Sequence, residues 1–233
     1  MSNQLVIYRL CSGISTLCAG FALFIGHKIA YGTDLVTGAV QILILASLCE
    51  VYAGNDSPQK RSLTETGREL LSCFRESFCF LKKAKKAVGI MMCNSLVGAV
   101  DILLLFFLQA KLQEKLPQWG LGFALLFMEM GGIVGSKLIL KFPKLGYKTV
   151  FFVTFLLVSS GLLAEHSTMW LIMALGGFLA AVGDDALQVR TNAILQDMFP
   201  SEQRATLTSV ESFSFSVIMI VLSPLAGFVF MYW

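Results

Sequence analysis

The sequence predicts an all-α integral membrane protein with seven transmembrane helices, and three observations support this. Of 233 residues, 56% are hydrophobic and only 14% are charged, and the mean hydropathy is +0.73, so the chain is more apolar and less charged than soluble domains. Apolar stretches recur at the length of roughly 20 residues that crosses a bilayer. One basic segment, residues 55–86, interrupts them with eight of the eighteen Lys and Arg residues.

The apolar segments divide the chain into three parts. Residues 1–54 hold the last two spans of an N-terminal half, 55–86 form a basic cytoplasmic linker, and 87–233 hold the first five spans of a C-terminal half. A turn is expected at Tyr31–Asp34, between the first two spans. The seven spans are predicted from the apolar runs at 5–26, 34–53, 87–109, 119–140, 149–165, 169–189 and 207–231.

The linker itself carries a helical pattern. Apolar residues recur at helical spacing from Leu70 to Leu81, with charged residues between them. Thr66 and Glu69 have the spacing of a capping box. We therefore expect an amphipathic helix at 67–83 on the cytoplasmic membrane face or on the inner ends of the spans, and the alternative for this segment is a calmodulin-type or lipid-regulated switch.

The distribution of basic residues predicts the orientation. With the linker inside, Arg9 and fourteen other Lys and Arg residues fall on the cytoplasmic side, and Lys28, Lys111 and Lys115 fall outside. The positive-inside rule then places the N-terminus and the linker in the cytoplasm and the C-terminus outside. We expect a multi-pass protein of the cytoplasmic membrane.

Several function classes have no support in the sequence. HExxH, GxSxG and phosphate-binding glycine-rich loops are absent, so we expect no enzyme, no catalytic residue and no cofactor. The six cysteines form no CxxC pair, and His27 and His166 have no second ligand at metal spacing, so neither a disulfide nor a metal site is expected. The expected partner is the lipid bilayer, and not nucleic acid.

Glu129 lies near the middle of the fourth predicted span. An ionised side chain at that depth costs about 2.5–3.5 kcal/mol on an insertion scale. An intramembrane carboxylate suggests a proton relay, a cation partner or a solute ligand. The alternative is a neutral carboxyl group that is hydrogen-bonded between helices.

Asp101 belongs to a polar face of the third span. Positions 94, 98, 101, 105 and 109 share one side of the helix and include Asn94, Asp101 and Gln109. This face predicts either the lining of a cavity or interhelical hydrogen bonds. Asn94, Asp101 and Glu129 are therefore the candidates for a substrate or proton pathway.

A second group of charges lies where the last two spans are expected to meet the cytoplasm. An ion-pair cluster that latches these inner ends, and so gates the cytoplasmic side, is the favoured interpretation. Its candidate members are Asp184, Asp185, Arg190, Arg204 and Glu211.

Small residues predict close helix packing in two spans. Gly131 and Gly135 have GxxxG spacing in the fourth span, with Gly132 beside them. Gly176, Gly177 and Gly183 do the same in the sixth.

Several local features follow a pattern found in one family of transporters. They are Glu50 before the linker, the basic turn with Lys144, Gly146 and Lys148, the segment 199–206 that reads FPSEQRAT, and Ser209, Ser223–Pro224 and Gly227 in the last span. In this arrangement the chain resembles spans five to eleven of the major facilitator superfamily, whose twelve spans form two halves joined by a basic linker. The family's basic-turn signature differs here at Ile139, Pro143 and Tyr147.

The resemblance implies a secondary transporter that moves a small solute by alternating access, with proton-coupled efflux as one form of it. It also implies an incomplete fold, because the family's spans one to four and twelve have no counterpart here, so we expect the chain not to transport alone. The alternative is a non-transporting seven-span scaffold or partner protein, or the relic of a truncated gene.

Overall fold

The computed structural model describes residues 2–48, 81–199 and 204–232, together with the single positions 72, 75 and 79. This part of the chain is helical and contains no strand. The helices are α1 (Ser2–Ile25), α2 (His27–Ser47), α3 (Lys85–Lys115), α4 (Gln118–Leu138), which continues as a 3-10 turn (Ile139–Lys141), α5 (Tyr147–Ala164), α6 (Trp170–Met198) and α7 (Arg204–Tyr232).

Five helices, α3 to α7, are long and apolar enough to cross a membrane. They contain nearly all of the last five predicted spans, which supports a multi-pass membrane protein. The first two predicted spans largely coincide with α1 and α2, and the apolar part of α2, Tyr31–Ser47, is shorter. That α1 and α2 also cross the membrane stays a prediction.

The turn predicted at Tyr31–Asp34 is wrong, because α2 runs through it. The chain instead breaks at Gly26, whose φ of 144° lies in a region that side chains with a Cβ rarely adopt. Gly32 is tolerated inside the helix, at the modest cost that glycine carries there.

The predicted linker helix at 67–83, its capping pair Thr66 and Glu69, and Glu50 fall mainly outside the described residues. Positions 72, 75 and 79 and residues 81–83 are helical. Leu81 packs on a small apolar cluster that is formed by buried residues of α3, α6 and α7 and by Phe199.

Two helices extend beyond their apolar runs: α3 continues to Lys115, past the end predicted at 109, and α6 is longer as well. The sixth span was predicted to end at 189, but α6 continues to Met198, with Thr191 and Leu195 fully or almost fully buried. Leu195 belongs to the same apolar cluster as Ala87 and Met91 of α3. Burial on a neighbouring helix therefore sustains α6 beyond the apolar run that the sequence displays.

α6 is the central helix and packs against α3, α4 and α5, while α4 lies between α1 and α6 and α7 packs on α3. The largest fully buried side chains include Leu104, Leu108, Met128, Met173 and Leu187. The outward faces are apolar as well: on α5 and α7, Phe152, Phe155, Leu156, Phe213 and Ile220 are all exposed. A surface of this kind suits contact with lipid tails rather than water.

Glycines set the distance between α4 and α6. A Cβ on Gly131 would lie 2.3 Å from the backbone oxygen of Phe178, and one on Gly135 would lie 2.1 Å from that of Val182. The two backbones are thus in direct contact along one turn of each helix. The GxxxG spacing noted in the sequence marks this contact.

Candidate functional site

A cavity of about 670 Å³ lies among α1, α3, α4, α6 and α7. Its wall combines apolar side chains with an unusual number of polar ones for an interior formed by apolar helices. The polar residues that line it are Tyr8, Arg9, Asn94, Ser95, Asp101, Glu129, Asp184, Gln188, Asn192, Thr208, Glu211 and Ser212.

An ion network on one side of the cavity joins three helices. The Arg9 guanidinium of α1 donates two hydrogen bonds to Asp185 of α6, Nε to Oδ2 at 2.9 Å and Nη2 to Oδ1 at 2.7 Å. Its third bond, from Nη1 to Glu129 Oε2 of α4, is 2.9 Å long. Ser12 Oγ donates to the other Glu129 oxygen at 3.1 Å. This two-point pairing with Asp185 uses the planar fork of arginine, which a lysine could not reproduce.

Gly132 makes room for the network. A Cβ at this position would lie 2.3 Å from Asp185 Oδ2 and 2.8 Å from Arg9 Nε. The small residue that the sequence assigned to helix packing therefore has a second effect here. It lets a charged pair sit against the backbone of α4.

Asp101 and Asp184 are two further carboxylates of the cavity wall. Their exposed fractions are only 5% and 9%, and neither accepts a hydrogen bond from any residue that the structure describes. Asp184 Oδ1 lies 3.6 Å from where a Cβ on Gly98 would be, one turn of α3 before Asp101. The two carboxylates therefore face the same region of the cavity.

Neutral acceptors complete this region. Asn94 Nδ2 donates to Glu211 Oε1 at 3.1 Å, whereas its own Oδ1 and the hydroxyl of Ser95 are buried without a hydrogen-bond partner among the described residues. Buried polar atoms of this kind are uncommon and costly, because they lose water without a replacement.

The structure brings together all three residues of the predicted pathway: Asn94, Asp101 and Glu129 line this one cavity. The five residues of the predicted cytoplasmic ion-pair cluster are arranged differently. Asp184 and Glu211 line the cavity and Asp185 pairs with Arg9. Arg190 donates to the backbone oxygens of Pro143 and Leu145, and Arg204 to that of Phe199.

The reason for this difference is the length of α6. Asp184 and Asp185 lie halfway along Trp170–Met198, not near its C-terminal end, because the helix continues for more than three turns after them. α3 likewise runs from Lys85 to Lys115, so Asp101 lies halfway along it. These carboxylates therefore sit at the level of the cavity.

Sequence reasoning missed Arg9 as a residue of the site. It counted Arg9 among the cytoplasmic charges, although Arg9 stands within an apolar segment with no charged neighbour. A lone arginine inside such a segment is itself a signal of an internal partner. The partners lie 120 and 176 positions away along the chain, so local spacing could not identify them.

The cavity wall holds more acidic than basic side chains. Its lining includes four carboxylates, Asp101, Glu129, Asp184 and Glu211, against the single guanidinium of Arg9. In the described part of the chain, no group of three or more His, Cys, Asp or Glu side chains is placed to hold a metal ion. An acidic cavity with hydrogen-bond acceptors suits a ligand that carries positive charge and donors.

Comparisons with protein-family models, with curated proteins and with solved structures find no match to this chain.

Proposed function

We propose that the chain forms the solute cavity of a secondary transporter, which moves a small solute across the cytoplasmic membrane by alternating access. The observation that carries this proposal is the cavity of about 670 Å³ with buried charged groups, lined by α1 and by four helices of membrane-crossing character, α3, α4, α6 and α7. Charged groups are costly among apolar helices and are typical of solute or ion pathways there. A passive scaffold has no need of them.

The positions along the chain of the helices that line the cavity support the same proposal. α1 precedes the basic linker, and α3, α4, α6 and α7 follow it, so both sides of the linker contribute to one cavity. In secondary transporters the solute lies between two repeats that move against each other. The sequence resemblance to spans five to eleven of the major facilitator superfamily agrees with this placement, as does a cytoplasmic location of the linker.

The Arg9 network has a natural role in such a cycle. It ties α1 to α4 and α6 by three hydrogen bonds. When α1 moves relative to the other helices, these bonds exchange or break, so the network favours one of the two states. The charges thereby bias a conformational equilibrium and do no covalent chemistry.

Cysteine accessibility tests this proposal on the chain as it stands, because opening of the cavity to either side can be labelled without net transport of a solute. After the six native cysteines are changed to serine, Ile102→Cys and Phe215→Cys place single thiols in the cavity wall. Leu156→Cys, on the exposed apolar face of α5, is the control. A charged methanethiosulfonate reagent is applied from either side of the membrane, in right-side-out and inside-out vesicles. It reacts with the ionised thiol, which requires water.

We expect both cavity thiols to react from each side and the Leu156→Cys thiol to react from neither. If the cavity thiols react from one side only, the cavity is a fixed pocket and alternating access is wrong. If they do not react from either side, the cavity is closed to water, and the non-transporting scaffold is the better interpretation.

A further inference from the structure

We propose that the cavity binds an organic cation, an amine of small-drug size, whose ammonium group lies between Asp101 and Asp184. This inference rests on the proposed transport function and adds the class of solute. It is carried by three independent features of the cavity wall: uncompensated carboxylates, unpartnered neutral acceptors and an apolar, aromatic side.

The first feature is the balance of charges. The guanidinium of Arg9 is already shared between Glu129 and Asp185, and Glu211 accepts a hydrogen bond from Asn94. Asp101 and Asp184 are left more than nine-tenths buried, and neither forms a salt bridge with a described residue, since Arg9 contacts other carboxylates. A buried ionised carboxylate is stable only when a counter-charge and donors reach it. A cation in the cavity supplies both.

The second feature is the set of neutral acceptors next to these carboxylates. Asn94 Oδ1 and Ser95 Oγ are buried and have no partner in the part of the chain that the structure describes. Both residues lie one to two turns of α3 before Asp101 and line the same cavity. A primary ammonium group carries three N–H donors for the two carboxylates, and a second donor on the body of the ligand would reach these oxygens, which lie roughly 9–10 Å along α3 from Asp101. An anion placed between Asp101 and Asp184 would instead meet two carboxylates.

The third feature is the apolar side of the cavity. Ile102, Leu105, Phe106 and Phe215 line it, and aromatic rings attract cations as well as apolar groups. The volume of about 670 Å³ falls within the roughly 300–1,000 Å³ that holds drug-sized ligands. A bare metal ion would leave most of this space unfilled. The wall therefore fits an amine that has an apolar body.

Fluorescence binding tests the inference. The purified 233-residue chain is placed in phosphatidylcholine nanodiscs and titrated with dansylcadaverine, a primary amine with an aromatic body. Its N-acetylated derivative has nearly the same shape and no charge. We expect the amine to bind and the acetylated probe to bind at least about tenfold more weakly, because it loses the charge-assisted hydrogen bonds.

Variants locate the ammonium group. Asp101→Asn and Asp184→Asn should each weaken amine binding by about tenfold and the double variant by about 100-fold, because each removes one charge-assisted contact. Asp197→Asn is the matched control, since this aspartate is exposed near the end of α6 and does not line the cavity. It should bind the amine like the unmodified chain. Gel filtration shows whether each variant stays folded.

Equal binding of the two probes, or unchanged amine binding in the folded double variant, would overturn the inference. So would a folded chain that binds no amine at all. If cysteine labelling still shows a cavity open to water from both sides, the transport proposal survives that result and only the solute class is wrong. If labelling fails while the amine binds at Asp101 and Asp184, the cavity is a binding site without transport.

Discussion

Arg9→Met should lower the free energy of unfolding by about 3–5 kcal/mol, the cost of removing one member of a buried ion network. The exposed fractions of the Arg9, Glu129 and Asp185 side chains are 15%, 11% and 0%. Methionine keeps most of the apolar stem but leaves two carboxylates without a counter-charge. SDS titration of the purified chain in mixed micelles measures the loss.

A triple variant separates charge from packing. Arg9→Met combined with Glu129→Gln and Asp185→Asn removes all three charges and keeps similar volumes. Replacing a whole buried network by neutral groups is often neutral or stabilising, so most of the lost stability should return. Arg9→Lys should give an intermediate loss, because it keeps the charge but not the two-point contact with Asp185.

Two outcomes would contradict this account. If Arg9→Met is as stable as the unmodified chain, the network does not exist in the membrane-embedded protein. If the triple variant is as unstable as Arg9→Met alone, the loss comes from packing and not from unpaired carboxylates. Gly132→Ala is an independent check, because it leaves all three charges in place and pushes against the Arg9–Asp185 contact itself.

Structural features that depend on local periodicity were predicted well from the sequence. The last five apolar runs became helices of membrane-crossing length, because the need for internally satisfied backbone groups makes such runs helical. The polar face through Asn94 and Asp101 was visible for the same reason, since residues three and four apart share a side of a helix. These are properties of single segments.

The ends of helices and the partners of charges were harder to predict. An apolar run marks where a helix can be buried in lipid, but α6 continues beyond it because Thr191 and Leu195 are buried against other helices. That extension moves Asp184 and Asp185 from a predicted end to the middle. The Arg9 network depends on how α1, α4 and α6 come together, which no local spacing contains.

Gly135→Ala should be the most disruptive single-methyl change in the bundle. The added carbon would lie 2.1 Å from the backbone oxygen of Val182 and 2.8 Å from its carbonyl carbon. A backbone carbonyl group cannot avoid the added methyl group by a change of rotamer, as a side chain can. α4 and α6 must therefore separate. Overpacking of this kind costs about 1–3 kcal/mol or more. Thermal unfolding followed by fluorescence-detected gel filtration measures it.

Gly89→Ala is the matched control for this change. Gly89 lies in α3 with no atom within 4 Å of where its Cβ would be, so alanine should stabilise the helix by up to about 1 kcal/mol. Equal effects of Gly135→Ala and Gly89→Ala would show that α4 and α6 are not in backbone contact.

Adding Gly131→Ala to Gly135→Ala should cost less than the sum of the two single changes. Both methyl groups press on the same stretch of α6, at Phe178 and Val182. After one methyl group has separated the helices, part of the space that the other methyl group needs is already available. The two effects on stability are therefore coupled. The same separation increases the distance between Asp185 and Glu129. This weakens the hydrogen bonds that Arg9 donates to the two carboxylates. If the two losses of stability are additive, each contact relaxes independently of the other. α4 and α6 would then be locally flexible, whereas the packing in the structure makes them rigid.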